Sequence, residues 1–128
     1  MATKTKTKIK PVTREVKTID AADRALGRVA SEAAMSLMGK TKPTFERHVY
    51  SGVPVKIINA SKIRITPKKL EALTHVRYSG IPGGLKVMSG KYTVQTKGMR
   101  ELVRLATYQM LPGNKLRREM MKNLKIED

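Results

Sequence analysis

Gly39-Lys40-Thr41 carries the last three positions of a phosphate-binding loop of the form G-x-x-x-x-G-K-[ST]. The first glycine of that pattern falls on Ala34, and the triplet follows a helical stripe instead of opening one. A phosphate loop needs the positive N-terminal end of a helix facing the anion, so nucleotide binding is not expected here. Gly80-Ile-Pro-Gly-Gly-Leu-Lys86 is the second glycine-rich stretch. It fits neither G-x-G-x-x-G nor the P-loop, and Pro82 removes an N–H from any backbone cradle. Two readings stay open for it. One is a tight turn. The other is bare backbone approaching a phosphate or sugar, with Gly83 and Gly84 lacking the Cβ atoms that hold a ligand off and Lys86 adding charge. His48 and His75 are the only histidines. Metal binding is not expected from them, and a triad of Ser51, His48 and Asp20 is no better than chance. His48, beside Arg47, suits donation to a phosphate or sugar equally with a structural role. The acids are isolated apart from Glu127-Asp128, which leaves paired-carboxylate catalysis without support.

Charge is the stronger signal. The 128 residues hold 27 Lys and Arg against 10 Asp and Glu, a formal net charge of +17, and the pI is about 10.5. A pI above roughly 9 marks a nucleic-acid-binding domain, with anionic membrane surface as the second polyanion to weigh. Residues 1–17 hold six bases and one acid, residues 18–96 thirteen and five, and residues 97–128 eight and four, so the surplus covers arm and body alike. Any single lysine run reads as a solvated face. The whole surplus destabilises an isolated fold by self-repulsion until a partner neutralises it. Aromatic residues make up only 4%, one Phe and four Tyr, which is poor material for stacking platforms. Contact with folded RNA or DNA backbone is therefore expected, in preference to splayed single strands. The absence of cysteine excludes disulfide scaffolds, Cys-ligated metal and thiol catalysis. No stretch approaches the ~20 apolar residues of a membrane span, and the first ten residues hold no apolar run of a secretory signal.

The length suits one domain. Residues 1–15 are expected to be a flexible basic arm, in which Lys4, Lys6, Lys8 and Lys10 share one side if extended. Residues 16–128 are expected to form a single α/β domain. Val16–Asp20 reads as a strand, and Asp20 or Asp23 can cap the helix after it. Leu26, Val29, Ala30, Ala33 and Leu37 mark one helical face, with Gly39 as its stop. Residues 52–59 and His75–Ser79 read as strands, Ile63–Thr66 as a short third piece ended by Pro67, and Ser79–Gly84 as a loop. Met99, Leu102, Val103, Ala106 and Met110 make a second helical stripe, with Arg100 and Arg104 on the other side. Pro112-Gly113 breaks it, and Asn114 caps a last helix with Leu116, Met120 and Leu124 on its buried edge. The methionines, Met35, Met38, Met99, Met110, Met120 and Met121 among them, are expected to pack in the core. Strands interleaved with helices point to a layered α/β fold with a partly parallel sheet.

Read together, the motifs resemble a known family. Ile19-Asp-Ala21 followed by Leu26-Gly-Arg-Val-Ala30 is similar to the opening of ribosomal protein L13 of the large subunit. Gly39-Lys40, Lys42, His48, Gly52 and Ile57-Ile-Asn-Ala60 continue the likeness. Tyr78-Ser-Gly80 with Pro82-Gly-Gly-Leu-Lys86 resembles that family's most distinctive loop, and Met110-Leu-Pro112, Asn114, Leu116, Met120 and Leu124-Lys-Ile126 follow in order. The likeness spans about residues 16–126. It departs at Val16 and Lys17, where the family has a Trp-Tyr pair, at Tyr50 in place of an acid, and at Ile81 in place of an aromatic. The family's C-terminal extension is also missing after Asp128. The resemblance implies a three-layer α/β/α domain around a mainly parallel four-stranded central sheet. It implies a structural, non-enzymatic, bacterial-type constituent of the large subunit that binds 23S-type rRNA and supports early assembly.

Two rRNA-binding surfaces are expected. One gathers Arg28, Lys40, Lys42, Arg47 and His48 with the loop residues Tyr78, Ser79, Gly80, Gly83, Gly84 and Lys86. The other is the basic side of the last two helices: Arg100, Arg104, Asn114, Lys115, Arg117, Arg118 and Lys122. Lys4, Lys6, Lys8 and Lys10 would enter nearby grooves. The expected partners are large-subunit rRNA and neighbouring large-subunit proteins in the cytoplasm, with no cofactor, metal, membrane, small-molecule substrate or second copy. A rival reading is a small α/β enzyme on a nucleotide, which saturable ATP or GTP binding would favour. A membrane-surface binder is weaker still, because the apolar stripes are narrow.

Overall fold

The computed structural model describes residues 15–50 and 53–128. Lys4, Lys6, Lys8 and Lys10 lie outside the described residues. The elements in chain order are β1 (Lys17–Asp20), α1 (Leu26–Met38), β2 (Val55–Ile58), a single 3-10 turn (Ala60–Lys62), α2 (Pro67–Ala72), β3 (Thr74–Tyr78), β4 (Leu85–Ser89), α3 (Gly90–Lys97), α4 (Met99–Met110), α5 (Leu116–Lys122) and β5 (Leu124–Ile126).

Helix α1 follows its pattern. Leu26, Val29, Ala30, Ala33 and Leu37 are all buried, and Ala34 joins them. A 13-residue helix is marginal alone, so this buried face is what holds it. Gly39 closes it at φ +79°, a left-handed conformation that a residue without Cβ adopts freely. The aspartates do not cap it. The Asp20 carboxylate instead accepts the Ala22 N–H at 3.0 Å and the Asn59 Nδ2 at 2.9 Å, tying the β1–α1 loop to the end of β2. Those two bonds hold the Asp20 carboxyl below its ordinary value.

β1, β2 and β5 form a parallel sheet in the order β1-β2-β5, with Ile19 opposite Ile57 and Ile57 opposite Ile126. Side chains alternate faces, so Ile19, Val55 and Ile57 point together into the core with α1, Leu102, Val103 and Met120. The opposite face carries exposed Thr18 and Lys125, with Lys56 Nζ 2.9 Å from the Glu127 carboxylate. α1 and α5 touch the sheet and each other, hence both lie on the apolar face. The expected three-layer, four-stranded arrangement is thus corrected among the described residues to three parallel strands with helices on one face. Ile63–Thr66 contributes only a parallel bridge between Ala25 and Arg64, because Pro67 starts α2 immediately after it.

β3 and β4 make a separate antiparallel hairpin, which packs on α2 and α3. Its turn consumes the glycines. Gly80 and Gly83 sit at φ +85° and +79°, and a Cβ on Gly84 would strike Ser79 Oγ and press on the Ile81 carbonyl oxygen at 3.0 Å. The Gly84→Ala change should therefore loosen the turn, at about 1 kcal/mol. The Ser79 N–H, which bonds the Gly84 carbonyl at 3.4 Å, should then exchange with solvent faster in a hydrogen-exchange measurement. An unchanged rate would show that the turn accepts the extra carbon.

Two expectations are corrected, and one stretch gains elements. Leu124 does not extend the last helix: the helix ends before Asn123, and Leu124-Lys-Ile126 pairs beside β2. Met110, at 43% exposed, and Met35, at 46%, lie outside the core, and Leu111 is buried just past the end of α4. Residues 85–97, given no element from sequence, form β4 and α3, the latter capped by Ser89 Oγ accepting the Tyr92 N–H at 3.2 Å.

Candidate nucleic-acid interface

Pro112 and Gly113 turn the chain between α4 and α5, and the two helices wall a groove of about 780 Å³. α4 supplies Arg104 and Tyr108, the turn supplies Asn114 and Lys115, and α5 supplies Arg118 and Lys122 one helical turn apart. Asn114 opens α5 as expected: its Oδ1 accepts the Arg117 N–H at 3.2 Å. The Arg117 guanidinium lies over the Tyr108 ring, 4.2 Å from its centroid.

A second depression, of about 320 Å³, adjoins the first. It brings Lys40 and Arg47 from the segment after α1 to Pro112, Asn114 and Leu116. Asn114 borders both hollows. Lys40 and Arg47 therefore continue the α5 groove, in place of joining the hairpin loop as the sequence grouping had it. Arg28 lies in neither. It sits in the first turn of α1 while Lys40 follows the last, a separation of roughly 18 Å at 1.5 Å per residue. Arg28 instead lines a hollow of about 500 Å³ with Arg24, Arg64 and Lys69. Arg64 and Lys69 escape sequence reasoning because only the bridge to Ala25 carries Arg64 to the start of α1.

The hairpin is a third cationic place. Tyr78, Ser79, Gly80, Gly83 and Lys86 are exposed, and Gly84 is half-buried. Arg77 and Lys86 face each other across the ladder, both exposed. Like charges directly opposite destabilise a hairpin, and an anion between them removes the penalty. The outward face of the hairpin carries Val76, Tyr78, Leu85 and Val87, each at least 60% exposed. Lys42 is half-buried behind Gly39, and exposed His48 has Nε2 3.4 Å from the Glu46 carboxylate. His75 is buried beside Thr96 and Glu101, its ring nitrogens making no hydrogen bond among the described residues.

Two of the expected cations are already neutralised. Arg100 Nε donates to Asp128 Oδ2 at 2.6 Å, and Arg104 holds Glu101 with bonds of 2.8 and 2.6 Å. These contacts raise the pKa of both guanidiniums. The Arg104 bonds also hold the Glu101 carboxyl below its ordinary 4.5, and Arg24 does the same to Glu32 at 2.7 Å. A depressed carboxyl contributes stability that is full above its unfolded pKa and is lost as pH falls through the folded one. Glu101→Gln should therefore destabilise the chain at pH 7, with the difference closing once pH drops below 4.5 and on through the folded pKa. Urea midpoints across that range measure it, and a gap constant down to pH 2 would contradict the pairing.

Carboxylates held this way are poor proton shuttles. Among the described residues no group of three His, Cys, Asp or Glu is placed to hold a metal ion. No helix there is long and apolar enough to cross a membrane. The cationic hollows on this α/β body are the surface chemistry of a polyanion-binding class of protein. The matches to known proteins give the particular kind. The family described as ribosomal protein L13 matches residues 14–126, and the chain belongs to it. Relatives carrying the name large ribosomal subunit protein uL13 are 46% identical over 115 residues in Natranaerobius thermophilus, covering 90% of this chain and 80% of the relative. The protein of that name from Aquifex aeolicus is 45% identical over 121 residues, 93% and 83% of the two chains. The one from Thermotoga maritima is 41% identical over 122 residues, 94% and 81%. A member of this family is a ribosomal protein and not an enzyme.

Proposed function

We propose that this chain is a structural constituent of the large ribosomal subunit that binds large-subunit rRNA and supports early subunit assembly. The observation that carries the site assignment is the continuity from Lys40 and Arg47 through Asn114 to Lys115, Arg118 and Lys122. None of those five cations is ion-paired with a described carboxylate, so each is free for a phosphate. Arg28 with Arg64 and Lys69, and Arg77 with Lys86, form secondary contacts. Arg100 and Arg104 contribute less, since releasing them leaves Asp128 and Glu101 bare.

The mechanism is counterion release. Each Lys or Arg on a phosphate frees condensed cations, and the log of affinity falls with the log of salt by about 0.9 per duplex contact. Sugar hydroxyls and backbone shape select the site, since paired RNA hides its base edges. Residues 1–15 act as a basic arm of the 16–128 domain, adding Lys4, Lys6, Lys8 and Lys10 to the phosphate contacts. The apolar outer face of the hairpin suits a neighbouring large-subunit protein, because Val76, Leu85 and Val87 offer a phosphate no donor and only the Tyr78 hydroxyl does. The chain works as a single copy in the cytoplasmic ribosome, its net charge opposing self-association.

The test is filter binding of the full chain to large- and small-subunit rRNA between about 50 and 200 mM salt, where phosphate contacts make affinity fall steeply. Tighter binding to the large-subunit RNA that survives unlabelled competitor is expected. Equal affinity for both RNAs would overturn the assignment.

A further inference from the structure

The Arg117–Tyr108 pair stands in the α4–α5 groove of a chain whose composition argues against stacking surfaces. Tyr108 is 41% exposed, and the guanidinium covers its ring at 4.2 Å across the Pro112–Gly113 break. A guanidinium on a tyrosine face is held flat by cation–π attraction, and its own plane is a surface on which a nucleobase stacks. The groove, at about 780 Å³, is within the roughly 300–1,000 Å³ range of pockets that take a small organic ligand.

We infer that this groove takes an unpaired rRNA nucleotide, its base stacked on the Arg117–Tyr108 platform and its flanking phosphates held by Lys115, Arg118 and Lys122. The inference rests on the rRNA-binding reading above and specifies the ligand of that groove. Duplex backbone can use the Tyr108 hydroxyl but not a π-face between two helices. A base can use that face, because every base has a π-face. Asn114 adds a preference. The Arg117 N–H bond fixes its Oδ1 toward α5, which leaves both NH₂ donors unused and favours a base edge with carbonyl or ring-nitrogen acceptors. Glu119 also lines the groove, but the surrounding cations outnumber it.

The experiment compares full-length protein with its Tyr108→Phe and Tyr108→Ala variants on two probes: a twelve-nucleotide oligouridylate and an RNA duplex of the same length. Tyr108→Phe keeps the ring and should bind both as the parent does. Tyr108→Ala should weaken oligouridylate binding by about 5- to 150-fold, the cost of losing one base stack, with its salt slope unchanged. Duplex binding should stay within about twofold. Arg117→Lys keeps the charge but loses the plane, and should show the same selective loss should Tyr108→Ala fail to fold. Equal losses on both probes, or none on the single strand, would overturn the platform. Replacing Lys115, Arg118 and Lys122 separates the two levels. If that change weakens rRNA binding while Tyr108→Ala does not weaken the single strand, the platform fails alone; if neither matters, the rRNA assignment of the groove fails with it.

Discussion

Replacing Lys115, Arg118 and Lys122 together by Gln should flatten the log–log salt dependence of rRNA binding by about 2–3 units, since each lost phosphate contact removes about 0.7–0.9. Carried from 1 M to 0.1 M salt, the same slope makes each contact worth about five- to eightfold, so the triple change should cost roughly 100- to 500-fold in affinity. These side chains share one groove, and none is ion-paired with a described carboxylate. Arg100→Gln with Arg104→Gln should do much less. Asp128 and Glu101 already hold those guanidiniums, and giving up those bonds subtracts from what a phosphate returns. Salt titrations on large-subunit rRNA check both. A larger loss from the α4 pair than from the α5 triple would mean that the interface runs along α4 instead.

Leu102→Ala is the change with the largest expected effect on stability. Leu102 is 1% exposed in the cluster formed by α1, α4 and the sheet, and Leu37 and Val103 beside it are fully buried. Deleting so buried a leucine removes its transfer free energy and leaves a cavity that close-packed neighbours fill only in part, about 3–4 kcal/mol in all. That is a large part of the ~5–15 kcal/mol holding a typical domain. The urea midpoint should fall with the slope m unchanged. Met110→Ala, on the same helix but 43% exposed, should cost under ~1 kcal/mol. A Leu102→Ala loss no greater than that of Met110 would place the core elsewhere.

The two substitutions sit on features of unequal legibility. The α1 stripe and the inner half of α4 are readable because a 3.6-residue period is a local signal, and Leu102 and Val103 fall on it as predicted. Leu124 shows where the period misleads. It stands four residues after Met120, yet pairing beside Val55 wins, since a strand partner some seventy positions away leaves no local trace. The short third piece expected at Ile63–Thr66 is cut to one bridge, because Pro67 starts a helix before pairing can extend. For the interface, residue types were readable and their grouping was not. Asn114 as a cap follows from its place after Pro112-Gly113, but its position between Lys40 and Lys122 is set by how α1 packs on α5. The pairing of Arg100 with Asp128 depends on β5 bringing the end of the described chain back to α4. Tyr108 is not legible in the sequence, because one tyrosine in a 4% aromatic chain carries no signal until Arg117 lies above it.

Sedimentation of lysate from growing cells through a magnesium-containing gradient, probed for this chain, addresses the central claim with the least intervening inference. Co-migration with the large ribosomal particle in stoichiometric amount, and release as salt is raised, is the predicted result. A chain found at the top of the gradient while that particle is otherwise complete would contradict it.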